Sequence, residues 1–364
     1  MNERQRIAYL DIVKLIAMIS VCLYHFPMDA AAPYSSPLAA GTLVRRYLIG
    51  LNAVCVPLFM MVNGALLMGG RFDCRKHALR TVKLVAGVYV WYLITQIIGH
   101  LARDGAHYLG GHLTGILYSA LFLYEYDGIA LTHLWFVQML AAVYLLLPLL
   151  RAAWETKETQ LRQGLAFFAC AMVFFCFLVH DFDHVKALLP GLRYLDLSCI
   201  ETMNPLRGRY GAMVVYFLLG GALHAGRDRL ARLPLWAPAA MFGAGSLVLF
   251  AEWYAMTVRT EAVYDNVYYG YNCLPTMAMA CGVFLLAMRL ADRLPAVLRR
   301  VSGFVGRNTL AIYYLHWIFG LLFVEGQSFA GSFPLNLAKA AAMVLAGALL
   351  GEGMRRIPVL RWLV

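Results

Sequence analysis

Three ionisable side chains, Asp11, Lys14 and His25, lie in an apolar stretch, residues 7–26, that is long enough to span a bilayer as a helix. At about 100° per residue, Lys14 and His25 project within about 20° of each other, and Asp11 lies about 40° to the other side. Each ionisable group inside a bilayer costs roughly 2.5–3.5 kcal/mol, so such groups usually face the protein interior and serve a function. The shared face predicts a polar path, on which His25 is the side chain best suited to take a proton near neutral pH.

The spacing of Lys14 and His25 indicates what this path could hold. Eleven positions separate the two residues, which corresponds to roughly 16 Å along a helix. This separation suits a substrate whose anionic part rests near Lys14 while its reactive part reaches His25. The alternative is an Asp11–Lys14 pair at i, i+3 that only neutralises itself, with His25 at the level of the lipid headgroups. The sequence leaves both interpretations open.

Other polar groups are expected near the level of His25 or in the membrane below it. His133 and Trp135 begin one predicted span, whereas His316 lies within another span and Glu325 at the outer end of that span. Glu325 could orient His25 and stabilise its protonated form, as carboxylates do in acyl-transfer sites, or it could be an exposed residue at a helix end. His316 is costly in a membrane unless it is paired or faces a cavity, and a core histidine satisfied by a neighbouring helix is an alternative. Trp135 could also belong to the interfacial aromatic belt.

The elements that must position these side chains are transmembrane helices. Hydrophobic residues make up 62% of the 364 residues and charged residues 14%, which excludes an ordinary soluble domain. We predict an all-α integral membrane protein that forms one domain over residues 1–364, and we predict that the longest polar segments, 100–130 and 181–209, are loops. The ten predicted spans are 7–26, 48–68, 79–99, 131–150, 163–180, 210–225, 236–257, 271–290, 308–325 and 335–351.

The distribution of basic residues predicts the orientation of the chain. If the N-terminus is cytoplasmic, 20 of the 31 Lys and Arg residues fall in cytoplasmic segments and eight in outer loops. Both termini are therefore predicted to be cytoplasmic in a multi-pass protein of the cell membrane. The net charge of +11 is explained by topology and contact with lipid headgroups, without a nucleic-acid partner. Residues 1–32 resemble a secretory signal, but the apolar stretch is long and charged, which favours an uncleaved first helix.

The histidines and cysteines outside these helices give no compact metal motif. The loop histidines and the stretch 181–184 match no zinc-site spacing, so no metal is expected. Of the eight cysteines, only Cys199 and Cys273 are predicted to reach the outer side. They could form a bridge or remain unpaired as small apolar residues.

Four stretches, in order along the chain, resemble acyltransferase family 3, whose members are membrane proteins that move acyl groups onto cell-envelope glycans. Lys14 and His25 match the family's motif of a basic residue, ten intervening residues and a histidine. The four stretches are residues 9–17 followed by His25, residues 56–59 leading to Asn63 and Gly64, residues 133–136 with Tyr144 and Pro148 behind them, and residues 306–316.

Two positions depart from the family pattern. The basic position is more often arginine, and the lysine at position 14 cannot offer a bidentate fork to phosphate. The second stretch usually has Ser-Gly where this chain has Asn63 and Gly64. Both departures leave the identity of the substrate open.

The resemblance implies an O-acyltransferase that uses acyl-CoA, with acetyl-CoA as the expected donor, and an extracytoplasmic carbohydrate as the acceptor. His25 is then the expected general base and Glu325 the residue that orients it. Donor-binding residues are expected to be Lys14, Asp11 and Arg307, and the acceptor or pocket residues His133, Trp135, Asn63 and His316. Since the chain ends soon after the tenth predicted span, it is expected to complete the transfer itself or to pass the acyl group to a separate protein.

Two other function classes remain open from the sequence. A transporter or lipid flippase could use Lys14, Asp11 and His316 as binding or proton-relay groups. Such proteins often contain internal repeats with broken helices in matching positions, and no such repeat is visible in this sequence. A lipid-linked glycosyltransferase is a third class, but the sequence shows no acidic pair in a long outer loop.

Overall fold

The computed structural model describes residues 7–26, 40–127, 129, 132–189, 191–192, 194–261, 263–323 and 333–364. The chain is 83% helical, and the described residues contain no β-strand, which confirms the all-α class. The α-helices, with their bounds, are α1 (Ala8–His25), α2 (Ala40–Gly50), α3 (Cys55–Leu67), α4 (Cys74–Asp104), α5 (Ala106–Phe122), α6 (Trp135–Glu155), α7 (Thr159–Val173), α8 (Val179–Leu188), α9 (Ser198–Thr202), α10 (Arg209–Ala225), α11 (Arg227–Leu230), α12 (Trp236–Thr260), α13 (Leu274–Leu290), α14 (Ala296–Arg307), α15 (Thr309–Phe323) and α16 (Phe333–Arg356).

Eight helical segments among the described residues are long and apolar enough to cross a membrane. They correspond to eight of the ten predicted spans. The predicted span 308–325 is the shorter helix α15, and the predicted span 210–225 is the 17-residue helix α10. The number of crossings and the side on which the termini lie stay predictions.

The two segments predicted as loops contain helices instead. Residues 100–130 include α5, and residues 181–209 include the end of α8 and the short α9. Helix α5 follows Gly105, whose positive φ of 78° favours glycine over residues with a side chain. The Tyr126 ring lies where a Cβ atom on Gly115 would stand, so this tyrosine packs closely against α5. Packing of this kind allows a short and partly polar sequence to remain helical.

The chain divides into two compact units. The first unit comprises the described residues among Met1–Val21, Pro33–Arg71 and Leu146–Gly306. Its helices α3 and α10 approach closely through glycines, since a Cβ atom on Gly64 would meet the carbonyl oxygen of Phe217 and one on Gly220 would meet Met61. Small residues permit such contacts between membrane helices. The prediction of one domain over residues 1–364 stays a prediction.

The second unit comprises the described residues among Cys22–Ala32, Phe72–Leu145 and Arg307–Val364. Helices α15 and α16 approach closely at Gly351, where a Cβ atom would stand 2.5 Å from that of Ala311. Helix α4 packs on α15 through Trp91 and Tyr314, whose rings stack with centroids 4.9 Å apart. The last turn of α1, which carries His25, also belongs to this unit.

Candidate functional site

A cluster of three histidines, His25, His133 and His316, lies in the second unit, and helix α15 carries His316. Tyr313, His316, Trp317 and Gly320 follow each other at i, i+3, i+4 and i+7, so they lie along one face of the helix. His316 is fully buried, and its Nδ1 donates a hydrogen bond of 2.5 Å to the backbone carbonyl of Tyr313. This bond assigns the ring proton to Nδ1 and leaves Nε2 as an acceptor.

The last turn of α1 places His25 beside this face. The ring of Phe26 occupies the space where a Cβ atom on Gly320 would stand, so the two helices meet at a glycine. The His25 ring lies 5.6 Å from the ring of His316 and 5.4 Å, edge to face, from that of Trp317, measured between centroids. His25 as a whole residue is half-buried.

A third histidine, His133, enters from a 3₁₀ turn ahead of α6. Its ring stacks on Trp317 with centroids 4.5 Å apart and lies perpendicular to the ring of His316 at 5.5 Å. The hydroxyl of Tyr313 donates a hydrogen bond to the backbone carbonyl of His133, which fixes the turn against α15. The structure therefore brings the predicted residues His25, His133 and His316 together.

Several polar atoms of this cluster have no hydrogen-bond partner among the described residues. They are both ring nitrogens of His133, Nε2 of His316 and the indole Nε1 of Trp317, and all four are buried. Buried polar groups are almost always hydrogen-bonded, because leaving one unpaired costs roughly 1–3 kcal/mol. Four such atoms in one aromatic cluster indicate that ordered water or a polar ligand completes their hydrogen bonds. The arrangement offers a proton acceptor in His25 and hydrogen-bond donors for a developing negative charge.

The predicted pair Asp11–Lys14 forms in the first unit. Lys14 Nζ lies 3.8 Å from the Asp11 carboxylate and donates a hydrogen bond of 3.4 Å to the carbonyl of Gly306. Asp11 is 6% exposed. The Asp11–Lys14 ion pair, which was one of the two interpretations of this helix face, is therefore present. A donor-binding role for the two residues stays a prediction.

The predicted pocket residues Asn63 and Trp135 occupy different environments. Asn63 belongs to the first unit, where its Nδ2 donates a hydrogen bond of 2.8 Å to the carbonyl of Phe59. Trp135 is the first residue of α6 in the second unit, and its ring meets that of Phe136 edge to face. The pocket role of both residues stays a prediction.

Arg307 and Glu325 are the two remaining predicted site residues. Arg307 is exposed at the end of α14, and its backbone carbonyl accepts a hydrogen bond from Arg355. Glu325 lies outside the described residues, so its predicted orientation of His25 stays a prediction.

A small basic cavity of about 120 Å³ lies against the start of α15 in the second unit. Arg80 and Lys83 of α4 line it together with Leu310 and Tyr314 of α15. Lys83 Nζ also lies 5.9 Å from the ring centre of Trp362. Only six positions separate Leu310 from His316, which is roughly 9 Å along the helix. These cations were not predicted as site residues.

Sequence reasoning also missed Trp317, Tyr313, Phe26 and Gly320. Helical spacing was the available signal, because Tyr313, Trp317 and Gly320 stand at −3, +1 and +4 from His316. Phe26 directly follows His25. None of these residues carries a charge at neutral pH, so a search for chemistry-bearing side chains passed over them.

Comparison with curated proteins gave no significant match, and comparison with solved structures gave none either. A family model described as an acyltransferase domain, Acyl_transf_3, matches residues 7–352, nearly the whole chain. The match confirms the resemblance drawn from the four sequence stretches, and with the apolar helices it supports a multi-pass membrane acyltransferase. The chain belongs to this acyltransferase family.

Proposed function

We propose that this protein is a membrane O-acyltransferase that moves an acyl group from acyl-CoA to a hydroxyl of an extracytoplasmic carbohydrate, with acetyl-CoA as the donor. The observation that carries this proposal is the histidine cluster, in which four buried nitrogens of His133, His316 and Trp317 lack partners among the described residues and lie beside His25. The family match supplies the reaction class.

In the proposed reaction, His25 takes the proton of the acceptor hydroxyl as the hydroxyl oxygen attacks the thioester carbonyl carbon. The C–S bond of the tetrahedral intermediate then breaks, and the departing CoA thiolate receives the proton from His25. The products are an ester and free CoA. General-base catalysis of this kind contributes about 10²–10⁴-fold, so positioning must supply much of the remaining acceleration.

The other members of the cluster fit the supporting roles. The indole N–H of Trp317 and a ring N–H of His133 can donate hydrogen bonds to an oxyanion or to a bound carbonyl. Each such donor is worth about 10²–10³-fold in rate. His316 offers an acceptor at Nε2, because its Nδ1 is bound to the carbonyl of Tyr313. We assign His316 to accepting a hydrogen bond from a second hydroxyl of the carbohydrate, which holds the reacting hydroxyl next to His25.

Binding of the donor is supported by the basic groups of the second unit. Arg80 and Lys83 line the cavity at the start of α15, and Arg307 is exposed two residues before that helix begins. Such cations attract the phosphates of CoA. Lys14, on the same helix as His25, and its partner Asp11 remain donor-binding candidates under this proposal.

The proposal is tested by incubating the purified full-length protein in nanodiscs with acetyl-, succinyl- and longer acyl-CoA and following release of the free CoA thiol. We expect slow release from acetyl-CoA in the absence of acceptor, because water can replace the hydroxyl, and faster release when a carbohydrate acceptor is present. If the protein neither binds nor turns over any of these donors, the proposed function is wrong, and transport through the same helices is favoured.

A further inference from the structure

A second group of chemistry-bearing side chains lies in the first unit and plays no part in the proposed acyl transfer. It consists of His180, His184, Glu252 and Cys273. His180 and His184 stand one turn apart at the start and middle of α8, directly after the π-helical turn Phe174–Leu178, and their ring centroids are 4.4 Å apart. Isolated π-helical turns occur frequently at functional sites.

Three separate elements bring these four side chains together. Glu252 lies in α12, and Cys273 immediately precedes α13. Helices α12 and α13 pack closely because Gly245 and Gly282 meet the backbone of the facing helix. The carboxylate of Asp181 accepts a hydrogen bond of 3.0 Å from the backbone N–H of Leu274, which ties α8 to the start of α13.

The potential ligand atoms of these four side chains lie close to one another. His180 Nδ1 lies 3.6 Å from Cys273 Sγ, and Cys273 Sγ lies 3.8 Å from Glu252 Oε1. His184 Nδ1 contacts the same Glu252 oxygen. One ligand atom from each of His180, His184 and Cys273 lies within 4.8 Å of the others. Zinc–ligand bonds of about 2.0–2.3 Å at tetrahedral angles give ligand–ligand separations of about 3.3–3.6 Å. His180 and Cys273 already stand at this separation, whereas His184 and Glu252 must move apart to bind the same ion.

The surroundings of the four side chains also suit a metal. Cys273 is fully buried, and the side chains of His184 and Glu252 are 12% and 14% exposed. The Tyr264 hydroxyl lies 3.0 Å from His184 Nε2. A histidine that binds a metal through one nitrogen usually has its other ring nitrogen held by such a partner, which orients the ring. Thiol sulfur is a weak hydrogen-bonding group, so a hydrogen-bonded network alone explains poorly why two imidazoles converge on it.

We propose that His180, His184, Glu252 and Cys273 bind one Zn²⁺ ion. Two imidazoles, a thiolate and a carboxylate form the ligand set that zinc accepts in four-coordinate sites. Because all four positions are filled by protein, the site is structural and links α8, α12 and the start of α13. The sequence predicted no metal because the ligands are separated by up to 93 positions along the chain, a spacing that no compact zinc motif has.

Metal analysis of the purified full-length protein tests this proposal. We expect about one zinc ion per chain that survives dialysis, as for a closed structural site. Removal with a chelator should lower the thermal midpoint, and added Zn²⁺ should restore it. Cobalt added to the chelated wild-type protein should produce a thiolate-to-cobalt charge-transfer band, a readout that needs no substitution and therefore does not depend on the folding of a variant.

Matched cysteine variants locate the metal. Cys273→Ser should lose the zinc and the charge-transfer band, whereas the buried Cys281→Ser in α13 and the exposed Cys199→Ser should retain both. Absence of stoichiometric zinc together with absence of the cobalt band in the wild-type protein would overturn the proposal. Equal metal content in the wild type and in Cys273→Ser would also overturn it, by showing an adventitious ion only.

Discussion

The rings of His133 and Trp317 lie stacked, with their centroids 4.5 Å apart and their planes inclined by 13°. The hydroxyl of Tyr313, on the same face of α15 as Trp317, holds the backbone carbonyl of His133. Stacking therefore fixes the orientation of the imidazole, and the hydrogen bond fixes the height of its backbone. The indole Nε1 and both ring nitrogens of His133 remain buried without partners among the described residues.

Replacement of Trp317 by phenylalanine separates the stacking of its ring on His133 from the hydrogen-bond donor Nε1–H. Trp317→Phe keeps an aromatic ring for His133 to stack on but removes the Nε1–H donor. If that donor stabilises the transition state, we expect kcat to fall by about 10²-fold while KM for acyl-CoA changes little. Steady-state kinetics of CoA release measures both quantities.

The exposed tryptophan of α12 provides the control for this substitution. Trp236 is 72% exposed, and Trp236→Phe should leave kcat unchanged. Wild-type kcat in Trp317→Phe would show that the indole N–H takes no part in the reaction.

The contact between Phe26 and Gly320 predicts a specific sensitivity to one methyl group. A Cβ atom at position 320 would collide with the Phe26 ring, so Gly320→Ala must displace this ring, which neighbours the ring of His25. We expect a loss of about 1–3 kcal/mol in stability, as for overpacked cores, together with a large loss of CoA release. Thermal unfolding in detergent and kinetics on the same sample measure the two effects.

Gly353 of α16 has open space around the position of a Cβ atom. Gly353→Ala should therefore be neutral or stabilising by up to about 1 kcal/mol, since glycine lowers helix stability. Equal behaviour of the two alanine variants would contradict the close contact between α1 and α15.

The basic cavity at the start of α15 predicts a change in donor affinity. Lys83→Gln removes one cation near the proposed phosphates, and we expect KM for acetyl-CoA to rise about tenfold, which corresponds to about 1.4 kcal/mol, with kcat within about twofold of the wild type. Added salt should reduce the difference between the two proteins, because screening weakens exposed charges.

Lys157, exposed between α6 and α7, serves as the matched control, and Lys157→Gln should leave KM unchanged. A rise in KM of equal size in both variants would indicate a general effect of net charge and would remove the cavity from the proposal.

The sequence allowed the prediction of the helices and of the three histidines for clear physical reasons. Apolar runs of membrane length fold as helices because lipid offers no partner to the backbone. His25, His133 and His316 stand out because an imidazole in an apolar segment is costly unless it is paired or faces a cavity. Trp317 could not be selected in the same way, since an aromatic residue in a membrane helix has many roles and its importance depends on which face of α15 meets His133.

The cluster of His180, His184, Glu252 and Cys273 shows a second limit of prediction from the sequence, which concerns ligands that are distant along the chain. Only the spacing of the two histidines, at i and i+4, was visible along the chain. The carboxylate and the thiol come from other helices, and their positions depend on the close packing of α12 on α13 through glycines. Ligand sets assembled by tertiary packing of this kind leave no compact motif.

The role of His25 as the general base is tested most directly by CoA release from acetyl-CoA in the wild type and in His25→Gln, each as full-length protein in nanodiscs. His112→Gln is the matched control, because this histidine of α5 is bonded to the hydroxyl of Tyr126 at 2.8 Å and belongs to no proposed site. We predict that His25→Gln binds acetyl-CoA as tightly as the wild type but releases CoA about 10²–10⁴-fold more slowly, while His112→Gln matches the wild type. Wild-type turnover by His25→Gln would contradict the proposed mechanism.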